Sequence, residues 1–183
     1  APAVPVAGGA PAAPAAARDD RIERRVTELL GRMTLVEKLG QLQQSLADNG
    51  SPAVRDAVRA GRLGSVFGNI GGPAVANELQ RVAVEESRLG IPLLIGFDVI
   101  HGYQTTFPVP LAQASSFDPA VAVTDATVAA AEAASAGIRW TFAPMVDVTR
   151  EPRWGRIVEG YGEDPYLASV FAAEKVRGYQ GDD

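Results

Sequence analysis

Three short, mostly apolar runs, each followed by a segment with the start signals of a helix, leave this chain few architectures. Leu63–Phe67, Ile91–Phe97 and Ile138–Ala143 read as strands. Ile91–Phe97 is continuously apolar, the pattern of a strand covered on both faces, as in parallel sheets with helices packed outside. A helix from Pro73 to about Leu89 separates the first two runs. Asp118 and Pro119 open an Ala-rich helix that ends near Ala136 at Gly137, and Asp164 with Pro165 opens the next one. Strand and helix thus alternate, which favours a parallel sheet built from right-handed crossovers.

Upstream of these units the pattern is helical. Ile22, Val26, Leu29 and Leu30 fall at helical spacing from Asp20 to Gly31. Thr34 and Glu37 have capping-box spacing, and Leu35, Leu39 and Leu42 then extend an apolar stripe to about Leu46. Ser51 and Pro52 open a third short helix that ends near Gly61.

A (β/α) barrel and an open doubly wound sheet both fit this order. No strand is followed by a Gly-x-Gly-x-x-Gly turn or a phosphate-cradling Lys loop, which lowers the nucleotide-binding open sheet. The fold class expected is therefore α/β, the N-terminal part of a (β/α)8 TIM-like barrel that is incomplete in this chain. Such barrels take about 250 residues, whereas three strands are legible within the 183 residues here. Half a barrel has open strand edges and an uncovered core. The chain is thus expected to be one piece of a longer polypeptide, completed by further residues or by another chain. Residues 1–18 are read as a flexible leader and 19–183 as the first part of the barrel domain. Ala1–Ala17 is almost wholly Ala, Pro, Val and Gly, as is left when a signal peptide is cleaved behind small residues, although a linker of the same composition stays open.

Composition narrows the chemistry. With 17 Lys and Arg set among 22 Asp and Glu there is no basic stripe, so nucleic acid is not an expected partner. Every apolar run is cut well short of the roughly 20 residues needed to cross a bilayer, so no membrane span is expected. The absence of Cys and the single His remove thiol nucleophiles, disulfides and Cys-ligated zinc. No metal or other cofactor is expected, and carboxylates are left as the main catalytic groups.

Those carboxylates gather directly after the apolar runs, in GFDVIHGYQTTFP and PMVDVTREPRWGRIVEGYGEDP. In a barrel these loops share the C-terminal face, where active sites sit. Asp98 ends an apolar run, so its carboxylate is expected at the rim, able to accept hydrogen bonds from paired sugar hydroxyls or to brace its own loop. The second segment crowds Asp147, Arg150, Glu151, Arg153, Arg156, Glu159, Glu163 and Asp164 together with Trp154. Most of these charges are expected to pair and shape the loop, with one Arg left to face the pocket. His101 has no sequence-near partner that marks a base or a ligand and reads as a structural hydrogen bonder. Trp140 reads as core, and Trp154 as an aromatic face able to stack on a sugar ring or pack under an Arg.

From Arg32 onward the chain resembles the family-three glycoside hydrolases, in particular their periplasmic or secreted β-glucosidases. The resemblance rests on RMTLVEKLGQL, SRLGIPLLIGFDVIHG with TTFP behind it, SSFDP, and above all TFAPMVDVTREPRWGRIVEGYGEDPYL. It implies a barrel-like first domain and hydrolysis of terminal β-linked glucose with retention, through an Asp nucleophile and a Glu acid/base about 5–5.5 Å apart. Both catalytic carboxylates, and a sugar-holding Lys-His pair, are implied to lie outside this segment. Carried over by motif, Asp98 and Arg156 bind the terminal sugar, while Arg153, Glu159 and His101 are weaker candidates. A β-glucoside or oligosaccharide substrate, a secreted or periplasmic location, and the remainder of the enzyme as partner are implied as well. Three alternatives stay open: a β-xylosidase or β-N-acetylglucosaminidase specificity, a non-catalytic carbohydrate-binding or structural half-barrel, and a barrel enzyme using Asp98 and Glu159 as its catalytic pair.

Overall fold

The computed structural model describes residues 20–181. The leader expected at residues 1–18 lies outside them. The chain divides into two compact units between Met33 and Thr34. The first contains α1 (Asp20–Arg32), which carries Asp20 and Glu23 in its first turn and Arg32 in its last, charges that suit the helix dipole.

The second unit begins with α2 (Leu35–Gln41), and the expected capping box is present. The Thr34 hydroxyl accepts from the Glu37 amide at 3.3 Å, and the Glu37 carboxylate accepts from the Thr34 amide at 2.9 Å. The elements that follow are β1 (Gln44–Leu46), α3 (Pro52–Arg59), β2 (Ser65–Phe67), α4 (Pro73–Arg81), β3 (Leu94–Phe97), α5 (Pro110–Ala114), α6 (Ala120–Ser135), β4 (Trp140–Thr141) and α7 (Pro165–Gln180). One π-helical turn, Val82–Glu86, extends α4. The strands form a single sheet in the order β1-β2-β3-β4, and each adjacent pair is parallel. Sequential order with no reversal is the barrel arrangement and contains no switch point of a doubly wound sheet.

The structure corrects the sequence reading in several places. The helix expected to reach Leu46 ends at Gln41, and Gln44–Leu46 turns into a fourth strand. Helix α2 also buries Glu37 and Gly40 while Leu35, Val36, Leu39 and Leu42 are exposed, the reverse of the expected stripe. The physical reasons are local. Glu37 is drawn inward by Arg88, whose Nε lies 2.8 Å from its carboxylate. A Cβ on Gly40 would lie 2.1 Å from the Gly61 carbonyl oxygen, so this glycine is where the helix meets the α3–β2 turn. Ser51 precedes α3 without a side-chain cap bond, so Pro52 at the first turn marks the start. The Pro-rich stretch after β3 contains the short helix α5.

The sheet has two unlike faces. Val66, Ile95, Val99, Leu79, Val82, Ala129 and Ala133 belong to one buried cluster that joins strands to α4 and α6. Burying each large aliphatic side chain there contributes about 1.5–3 kcal/mol. The opposite face carries Leu46, Phe67, Leu94, Trp140 and Phe142, with Phe67 and Phe142 edge to face at 6.2 Å and Trp140 and Phe142 at 4.6 Å. Gly96 lies beneath the last pair: its Cβ would come within 3.0 Å of the Phe142 ring. Leu46 is 61% exposed, Leu94 43% and Trp140 38%. The expectation of β3 covered on both faces, and of Trp140 as core, therefore fails among the described residues: helices cover one face only.

Candidate functional site

Leu94 and Gly96 face the open side of the sheet, and strand alternation carries Asp98 to that side, at the C-terminal end of β3. Asp98 is exposed. Its loop is fixed by three clasps. The His101 ring Nδ1 lies 3.0 Å from the Phe107 carbonyl, and the Phe107 amide donates to the His101 carbonyl at 2.8 Å. Gly102, at φ 117°, bridges Thr106; a Cβ there would strike the Thr105 carbonyl oxygen at 1.9 Å. Glu132 of α6 accepts from the Gln104 and Thr105 amides, both at 2.8 Å, and from the Thr105 hydroxyl at 2.6 Å. These bonds, the Thr105 hydroxyl foremost, hold the Glu132 carboxyl below the usual range. His101 thus closes the loop that follows Asp98.

The second charged segment follows β4 and runs to α7, whose first turn is capped by the Asp164 carboxylate accepting from the Leu167 amide at 2.8 Å. Arg156 and Glu159 form a fork-to-fork pair, Nε–Oε1 2.9 Å and Nη2–Oε2 2.7 Å, across the short 3-10 turn Ile157–Glu159. Glu159 raises the Arg156 pKa most, and the charges of Asp147 and Asp98 raise it further. The fold therefore brings Arg156 into the electrostatic neighbourhood of Asp98, although 58 positions separate them in the chain. Asp147 joins them; its signal in the sequence is the same as that of Asp98, a carboxylate shortly after a strand. Arg153 pairs instead with Glu151, at 2.8 and 2.7 Å, and is 88% exposed. Trp154 is exposed and borders a shallow depression with Asp147, Thr149 and Glu151.

Chemically, the rim presents one carboxylate that accepts and one guanidinium that donates, a combination that selects a pattern of hydroxyl groups. Among the described residues no group of three or more His, Cys, Asp and Glu side chains is placed to hold a metal ion. No helix among them is long and apolar enough to cross a membrane.

A sequential parallel sheet with its charged loops on the C-terminal rim defines the class, the opening units of a (β/α) barrel with a polar mouth. The family follows from comparison: residues 34–183 match the glycosyl hydrolase family 3 N terminal domain, and the chain belongs to that family. It is 43% identical over 158 residues to a periplasmic beta-glucosidase from Salmonella typhimurium, covering 85% of this chain and 20% of that protein. A beta-glucosidase from Listeria innocua in complex with isofagomine matches with a TM-score of 0.79 and 41% identity, over 87% of this chain and 23% of that one. A D270A mutant of a Listeria innocua beta-glucosidase in complex with laminaribiose matches with a TM-score of 0.79 and 38% identity, over 87% and 24%. The chain thus spans only a fifth to a quarter of the length of these relatives.

Proposed function

We propose that this chain supplies the sugar-holding rim of a retaining β-glucosidase whose nucleophile and acid/base lie outside this segment. The observation that carries this reading is an exposed Asp98 at the C-terminal end of β3 with the Arg156 guanidinium in its electrostatic field, in a family 3 domain similar to β-glucosidases. Asp98 accepts from adjacent hydroxyls of the terminal glucose. Arg156, oriented by Glu159, donates to the same sugar. In the completed enzyme an Asp attacks the anomeric carbon while a Glu protonates the departing glycosidic oxygen. Water then opens the glycosyl-enzyme as that Glu takes its proton. The kinship with a periplasmic protein supports a secreted or periplasmic location, and the open sheet face supports a covering partner, either the rest of the polypeptide or a complementing chain.

The test is an Asp98→Asn substitution in a full-length enzyme carrying this sequence, assayed with an aryl β-glucoside and a 2-deoxy-2-fluoroglucoside. A lost charge-assisted hydrogen bond of about 1.5–3 kcal/mol lowers kcat/KM about tenfold to a hundredfold while slow covalent labelling persists. Labelling lost in a folded protein would instead make Asp98 the nucleophile. Turnover by residues 1–183 alone would overturn the placement of the catalytic pair elsewhere.

A further inference from the structure

The clasps on the loop after β3 begin at His101 and leave the stretch Asp98–Ile100 to another group. That group comes from the last turn of α7: the Tyr179 hydroxyl donates to the carbonyl of Val99, the residue next to Asp98. Val99 is buried, so the bond satisfies a carbonyl that folding has taken out of water.

Tyr179 sits beside a buried polar group built from three elements. Lys175, one helical turn earlier, places its ammonium 5.6 Å from the centre of the Tyr179 ring. That ammonium is fully buried and bonds Asp125 of α6 at 2.5 Å. Gln113 of α5 donates to the same Asp125 oxygen, and to the Pro108 carbonyl at 2.7 Å. Beside Tyr179, Gly178 lets α7 press against α6; a Cβ there would lie 2.6 Å from the Ala126 methyl and 2.7 Å from the Val123 carbonyl oxygen. Burial, and then the charge of Asp125, keep the Tyr179 phenol well above its ordinary pKa, so it remains a donor.

We propose that Tyr179 is a positioning residue for Asp98: by holding the Val99 carbonyl it fixes the backbone from which the Asp98 carboxylate meets the sugar. This rests on the reading that Asp98 binds the sugar, and the experiment separates the two. In the full-length enzyme, Asp98→Asn, Tyr179→Phe and the double variant are compared for KM, kcat, inhibition by glucose and melting temperature. Tyr179→Phe is expected to weaken glucose inhibition and raise KM about threefold to tenfold in a protein that still melts cooperatively. In the Asp98→Asn background the same change adds less than about twofold, because the group it positions is already impaired. Tyr179→His, which keeps a ring and a shorter donor, falls between wild type and Phe and serves as the second variant if Phe does not accumulate folded. If Asp98→Asn weakens glucose inhibition but Tyr179→Phe shifts only the melting temperature, or acts equally in both backgrounds, the positioning role is overturned while the Asp98 reading stands. If Asp98→Asn leaves glucose inhibition unchanged, the Asp98 reading falls and the positioning role with it.

Discussion

Arg156 and Glu37 show how the same type of ion pair serves two ends. Glu159 holds the Nε and Nη2 edge of the Arg156 guanidinium, so the plane of the fork is fixed by the protein itself. Glu37 grips Arg88 at the opposite, N-terminal end of the strands, and that bond, followed by the Thr34 amide, pulls its carboxyl from the ordinary 4.5 to about 2. A carboxyl depressed in the folded state gives its full stabilisation above its unfolded pKa and loses it as the pH falls through the folded value. The expected outcome is that Glu37→Gln lowers the melting temperature most at neutral pH, with the gap to wild type narrowing between about pH 4.5 and 2. Melting curves recorded across that range check it, and a gap that stays constant to acid would show that the charge contributes nothing. Arg156 and Glu159 were readable as members of a charged loop whose residues pair, and Glu37 as half of a capping box; that Arg156 chooses Glu159 and Glu37 chooses Arg88 was not.

At the scale of elements, helix starts were legible because caps are local: Thr34 with Glu37, Asp164, and the first-turn prolines 52, 73 and 165 each mark an observed boundary. Strand β1 was not legible. Gln44-Ser45-Leu46 continues the register of the preceding stripe, and only pairing with Ser65–Phe67 makes it a strand. The buried Asp125–Lys175 pair escaped for the same reason, since an Asp in an Ala-rich helix and a Lys 50 positions later look like surface charges until α6 and α7 pack. Lys175→Met leaves Asp125 buried without its cation and is expected to cost about 3–5 kcal/mol. Adding Asp125→Leu removes the stranded charge and recovers much of that loss. Denaturant melts of the two variants decide this; a double variant no more stable than the single would refute it.

For the whole molecule, the consequential feature is a sheet with helices on one side and Leu46, Leu94, Trp140 and Phe142 exposed on the other. Apolar area of that kind drives association. Expressed alone, the chain is expected to bind a hydrophobic dye strongly, and the signal is expected to fall when the remaining barrel units are supplied in trans; no dye binding by the folded chain would contradict an open inner face. The alternation of apolar runs and capped helices was enough to specify a parallel α/β fold, because strand and helix periodicity are written in neighbouring residues. It also placed the charged loops on one rim, because loops after parallel strands must share an end of the sheet. Which strand face is covered, that α2 turns its leucines outward, and that Arg156 lies in the field of Asp98 were set by packing. Those outcomes depend on contacts between segments tens of residues apart, whose free energies exist only once the elements have docked.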